Sequence, residues 1–272
     1  MPNLDSDGDF STEVFHLLNH FRRYALIGGL VWPLCVAKII KDNVVIISHK
    51  YKFIFIKTMK TAGTSIEVFL SPLCGDDDIV TPIWPNVEPH CARNYKGIWN
   101  PLPEILENKG SGVAKILIDL YKRNNFYNHI PAFIVRNRVP KKLWNSYFKF
   151  CVERNPWDKT LSHYHMLNDR AGGNVSFDEY INKGDFCLNY PFYCDSKGKI
   201  LVDKIVKYES LMDELRVIFQ KLGVPFDGSL GVKAKSEHRK DKRPYQEVFS
   251  NEQRDVIVKA FAKEVKMHGY SF

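Results

Sequence analysis

The chain has 272 residues, 44% of them hydrophobic and 26% charged, with a formal net charge of +8. This is globular composition with ample length for a large core, and nothing in it requires a second domain. The basic surplus favours an anionic partner such as a nucleotide, an acidic glycan, a nucleic acid or a membrane surface. The six cysteines are scattered without a CxxC pair or a Cys/His spacing typical of zinc, so free thiols are expected and no metal is required. A Cys187–Cys194 bridge stays open.

In chain order, Tyr24–Ala37 is an apolar run of 14 residues behind Arg22 and Arg23. It is shorter than the roughly 20 residues that span a bilayer, and Gly28, Gly29 and Pro33 interrupt it. It also lies too far in for a signal peptide, behind the acidic start Asp5, Asp7 and Asp9. Residues 1–45 are therefore expected to be a helical extension packed on the core, with no stable membrane insertion and a cytoplasmic location. Tyr51–Lys57 is aromatic and β-branched, which predicts a strand, and Thr64–Leu70 reads as a helix. Gly75–Pro103 is rich in Asp, Pro, Asn and Trp and reads as an irregular insertion, a common place for substrate contacts. Helices are expected over Gly112–Arg123 and Phe133–Arg138, a strand over Tyr147–Glu153 and a helix over Asp158–Leu167. A third strand, Lys204–Tyr208, precedes a helix over Glu209–Leu222 with apolar residues at helical spacing, and Asn251–Lys266 is the last helix. Strands alternating with helices define an α/β domain over 46–272, with a central, mostly parallel sheet flanked by helices. In such sheets ligands sit beyond the carboxyl ends of the strands.

Two segments fall there. After the first strand come Lys57-Thr58-Met59-Lys60-Thr61-Ala62-Gly63-Thr64-Ser65-Ile66-Glu67. Backbone N–H groups at a helix start attract anions. Gly63 permits close approach, the hydroxyls of Thr61, Thr64 and Ser65 can donate, and Lys60 adds a mobile charge. The logic is that of a phosphate loop, but the GxxxxGK[ST] pattern is absent. Taken alone, the segment could also be an N-capped helix start with a solvated lysine. Lys57 reads as a strand-end residue without a task.

After the second strand, Arg154 stands eight residues before Ser162, with Pro156 and Asp158 entering a helix between them. A forked guanidinium and a hydroxyl on one face suit a terminal phosphate. Alone, Arg154 could instead pair with an acidic neighbour.

Together the segments resemble the sulfotransferases that use 3′-phosphoadenosine 5′-phosphosulfate (PAPS). The carriers are Met59-Lys60-Thr61-Ala62-Gly63-Thr64-Ser65, and Arg154 with Ser162. Tyr147–Phe150 running into Arg154–Asp158, then Lys207-Tyr208-Glu209 and the ending Gly269-Tyr270-Ser271-Phe272, are similar to the carbohydrate (Golgi and bacterial polysaccharide) branch. The resemblance spans about Lys52 to the C-terminus. Met59 departs from it, since the family usually has proline there. The resemblance implies a phosphate-loop-like fold, a 5′-phosphosulfate held by Lys60, Thr61, Ala62, Gly63, Thr64 and Ser65, and a 3′-phosphate held by Arg154 and Ser162. It implies transfer of a sulfuryl group to a hydroxyl, of a saccharide by analogy with that branch.

That reaction is an in-line displacement, with charge growing on the leaving phosphate oxygen; Lys60 is the residue expected there. The acceptor hydroxyl needs a base. His129, in Asn128-His129-Ile130-Pro131-Ala132, resembles the segment that supplies it in relatives, and Glu67 on the following helix is the rival. His163 and His165 flank the serine helix and could reach the site, but packing is the expectation for them, as it is for Trp157 in preference to stacking on adenine. The resemblance implies a loop over the nucleotide near the basic segment Lys235–Arg243, from which Arg239, Lys240 or Arg243 would touch the 3′-phosphate or an acidic acceptor, Arg239 being the choice; a solvated charge run is at least as good a reading. Two other functions fit less well. A kinase lacks the Walker glycines and an evident magnesium carboxylate, and a nucleic-acid or polyanion binder lacks a known module and interleaved aromatics.

Overall fold

The computed structural model describes residues 45–108, 110–127, 129–231, 241 and 243–272. The expected extension over 1–45, apart from its last residue, lies outside the described residues, as do the apolar run 24–37, Arg239 and Lys240.

A five-stranded sheet is the centre of the domain. β1 (Val45–Ser48) and β2 (Phe53–Ile56) form a hairpin; β3 (Ile79–Val80), β4 (Phe148–Glu153) and β5 (Lys204–Lys207) complete the order β3-β1-β2-β4-β5. β1 is antiparallel to both β2 and β3, whereas β2, β4 and β5 are mutually parallel. The sheet is therefore mixed rather than mostly parallel. Only four residues, 49–52, connect β1 to β2, and so short a link cannot return a strand in the same direction.

Both faces of the sheet are covered, which is why β2 is a continuous run, Phe-Ile-Phe-Ile, with every residue buried. Successive side chains point to opposite faces. Phe53, Phe55, Phe150 and Val152 pack against Ile66 and Leu70 of α1 (Gly63–Leu70) and Leu215, Ile218 and Phe219 of a later helix. Ile54, Ile56 and Cys151 pack on the other face with Ile130, Ala132, Val135 and Tyr193.

The segment after β3 is irregular as far as Pro101, then forms α2 (Leu102–Glu107) and α3 (Ser111–Tyr121). It is well anchored. Arg93 pairs with Val80 and donates to the carbonyls of Ser71 and Cys74. Asp78 accepts from Ser48 Oγ at 2.7 Å and from the N–H groups of His49, Lys50 and Gly75, which ties the insertion to the β1–β2 turn. Further on are α4 (Ala132–Arg138) and α5 (Lys141–Ser146). Arg138 makes a buried two-pronged pair with Glu104, at 2.7 and 3.0 Å, that joins α2 to α4.

After β4 come α6 (Pro156–Arg170), α7 (Phe177–Lys183) and the single turn α8 (Tyr190–Tyr193). After β5 come α9 (Leu211–Leu222), α10 (Asn251–Ala260) and α11 (Ala262–His268). The last two divide a stretch that reads as one helix, with Phe261, fully buried, at the break. Cys187 and Cys194 are not bonded to each other. Among the described residues no helix is long and apolar enough to cross a membrane, and no group of three or more His, Cys, Asp or Glu side chains forms a metal site.

Candidate functional site

The parallel strands β2, β4 and β5 end at one edge, and the segments singled out in the sequence leave from there. The 57–62 loop joins β2 to α1. Lys60 (φ 61°) and Ala62 (φ 59°) both take left-handed backbone, a region disfavoured for residues with a Cβ. Alternating conformations of this kind turn successive N–H groups into a concavity that suits an anion. The N–H groups of the first turn of α1 follow directly and have no acceptor within the helix.

The hydroxyls of the loop divide the work. Thr58 Oγ1 bonds to the Val152 carbonyl of β4, and Thr61 Oγ1 lies 2.9 Å from Thr58 Oγ1. Thr61 is 1% exposed, so its hydroxyl braces the loop and its contribution to a cradle falls to its backbone N–H. Thr64 is oriented from below: Lys57 Nζ donates to Thr64 Oγ1 at 3.2 Å, which leaves the Thr64 O–H to point elsewhere.

Lys57, without a task in the sequence, is buried and ion-paired to Glu67 at 2.8 Å. Its stem fills the space beside Gly63. A Cβ at residue 63 would stand 2.5 Å from Lys57 Cγ, so this glycine makes room for the lysine stem rather than for an approaching backbone. Glu67 is fully buried and holds Lys57 under the loop, a task unlike that of a base reached by an acceptor.

His129 stands at the same strand edge. Its Nδ1 is 3.0 Å from the Lys57 carbonyl, and its ring lies 5.6 Å from Phe192. A carbonyl accepts only, so the proton sits on Nδ1 and Nε2 is the basic nitrogen.

Arg154 follows β4. Its Nε and Nη2 bind Asp158 at 2.8 and 2.7 Å, its Nη1 donates to the Lys60 carbonyl at 3.1 Å, and it lies 4.1 Å over the Tyr208 ring. Three of its five N–H donors are used, which leaves one on each terminal nitrogen. Asp158 and Ser162 are one helical turn apart on α6, so Ser162, half-buried, falls on the face that Asp158 shares with Arg154. Glu209 accepts from the Asn155 N–H at 2.6 Å and from the Tyr270 hydroxyl, while Asn155 Nδ2 donates to the Ser271 carbonyl. The 59–65 loop, 154–158, 207–209 and the C-terminal four residues thus converge on one place.

Trp157 is 2% exposed between Tyr245 and Phe272, a core residue. His163 bonds to the Tyr180 hydroxyl at 2.9 Å, and burial, with the charge of Lys60 nearby, lowers its pKa to about 4. Arg243 pairs with Asp241 at the rim of a cavity of about 530 Å³, lined also by Tyr164, His165, Asn168 and Phe177 of α6 and α7. Neither Ser162 nor the 57–62 loop lines it.

Sequence reasoning passed over two buried groups near the loop. His90 is 3% exposed; burial, then the charges of Lys57 and Arg93, lower its pKa to about 4, so it is neutral. Glu153, fully buried, collects Lys159 Nζ (2.7 Å), the Arg154 N–H (2.9 Å) and the Tyr193 hydroxyl (2.9 Å). A glutamate one residue before a noted arginine carries no separate sequence signal.

A curated protein of Archaeoglobus fulgidus, described as uncharacterized, is 36% identical to this chain over 118 residues, covering 41% of the chain and 98% of the archaeal protein. The chain belongs to the same family as that protein. No known family's profile matches the chain, and no solved structure does.

Proposed function

We propose that the protein is a sulfotransferase that moves the sulfuryl group of PAPS to a hydroxyl, of a saccharide by preference. The observation that carries this reading is the hydrogen bond from Arg154 Nη1 to the Lys60 carbonyl, which joins segments 94 residues apart at the ends of adjacent parallel strands. Two anion sites so coupled suit a nucleotide with phosphates at both ends of its ribose. Lys60 and the N–H groups from Thr61 to Ser65, with the Thr64 and Ser65 hydroxyls, hold the 5′-phosphosulfate. Arg154 and Ser162 hold the 3′-phosphate.

The acceptor oxygen attacks sulfur as the bond from sulfur to the bridging phosphate oxygen breaks. The electron pair leaves on 3′-phosphoadenosine 5′-phosphate, where Lys60 and the fixed N–H dipoles oppose the growing charge. The acceptor proton goes to Nε2 of His129, held in the basic tautomer by the Lys57 carbonyl. Of the two candidate bases, His129 keeps the role, because Glu67 is engaged beneath the loop. The test is transfer of label from sulfur-labelled PAPS to a panel of saccharides and simple alcohols. Wild type should label at least one acceptor and Lys60→Ala almost none. Absence of transfer to every acceptor, or normal transfer by Lys60→Ala, would count against the proposal.

A further inference from the structure

Asn189, one residue before α8, is fully buried at the floor of the 57–62 loop. Its side chain engages both backbone groups of Met59: Oδ1 accepts from the Met59 N–H at 2.9 Å and Nδ2 donates to the Met59 carbonyl at 3.0 Å. The same Nδ2 reaches Glu153 Oε1 at 3.1 Å, and the Asn189 N–H bonds to Glu264 Oε1 at 3.0 Å. One amide thus copies the pairing a neighbouring strand would supply and fastens it to the carboxylate that also binds the Arg154 N–H.

Met59 needs such a partner. Unlike proline it leaves φ unrestrained and brings an N–H that must be satisfied once buried. The next residue, Lys60, is left-handed, a conformation that lasts only where its surroundings over-determine it. From this geometry we infer that Asn189 is a positioning residue, which sets the loop so that Lys60 and the following N–H groups meet a 5′-phosphate. The inference rests on the proposed nucleotide reading. Asn189 touches no ligand and acts through Met59.

The test compares three nucleotides in wild type, Asn189→Ala and Tyr193→Phe. The last removes a different hydrogen bond to Glu153 and leaves Met59 alone. Asn189→Ala should weaken 3′-phosphoadenosine 5′-phosphate and 5′-AMP alike, by about tenfold to a hundredfold. Its affinity for 3′-AMP should be unchanged, as should all three affinities in Tyr193→Phe. Equal losses for all three nucleotides, or the same pattern in both variants, would reduce Asn189 to general support and overturn its role. If wild type binds none of the three, the nucleotide reading fails and takes this inference with it. If wild type binds and Asn189→Ala is unaffected, only the inference fails. Should Asn189→Ala not fold, hydrogen exchange in wild type decides: the Met59 amide should exchange as slowly as β2 amides, and fast exchange would refute the clamp.

Discussion

Replacing Lys57 with methionine keeps the stem that packs on Gly63 and removes only the ammonium. Glu67 then stays at zero exposure without the lysine 2.8 Å away. Breaking a buried pair from one side costs about 3–5 kcal/mol, a large share of the roughly 5–15 kcal/mol of a typical domain. Removing both charges, in Lys57→Met with Glu67→Leu, should restore stability to within about 1–2 kcal/mol of wild type, since the desolvation cost disappears with the carboxylate. Urea unfolding reads this directly: the midpoint of Lys57→Met should fall at constant slope and that of the double variant should recover. The same series separates the candidate bases. Glu67→Gln should lower stability, whereas His129→Ala should leave stability and nucleotide affinity near wild type while transfer collapses. A loss under about 1 kcal/mol in Lys57→Met, a double variant no better than the single, or a stable Glu67→Gln devoid of transfer would refute the reasoning.

Further predictions concern other parts of the molecule. Arg154→Ala should weaken 3′-phosphoadenosine 5′-phosphate far more than 5′-AMP in titration calorimetry; equal losses would remove it from the 3′-phosphate. His90 has a folded pKa of about 4 against an ordinary 6.5, depressed first by burial and then by Lys57 and Arg93. A depressed pKa means that the stability from keeping His90 neutral is complete above pH 6.5 and is lost as pH falls toward 4, by an amount on the order of 3 kcal/mol. Thermal unfolding across that window should show the loss, and His90→Leu should flatten it. Arg138→Met should cost about 3–5 kcal/mol by leaving buried Glu104 without its counter-charge, and chemical unfolding checks it.

Strands buried on both faces announce themselves, which is why β2 and β4 are readable from Phe53–Ile56 and Phe148–Glu153. β1 was legible but passed over, since Val44–Ile47 is a β-branched run bounded by Lys41-Asp42-Asn43 and Ser48-His49-Lys50, and its hairpin is what turns the expected parallel sheet into a mixed one. At the site, residue types were legible and their allocation was not. A threonine hydroxyl in a loop reads as a ligand donor, yet that of Thr61 is spent on Thr58. Lys57 reads as a strand end because its partner Glu67 lies ten positions on, across a turn whose geometry no local pattern fixes. Asn189 is 130 residues from Met59, inside the aromatic-rich run Phe186–Cys194, whose composition marks a packed segment but not which backbone its one amide serves.

If Lys60 and Arg154 hold the two ends of one bisphosphorylated nucleotide, the wild-type protein binds that nucleotide in preference to ATP. Calorimetric titration of the wild-type protein with 3′-phosphoadenosine 5′-phosphate, and separately with ATP and magnesium, tests it most directly. Saturable one-to-one binding of the 3′,5′-bisphosphate is expected, with little or none of ATP. Binding of ATP with magnesium and no response to the bisphosphate would contradict it.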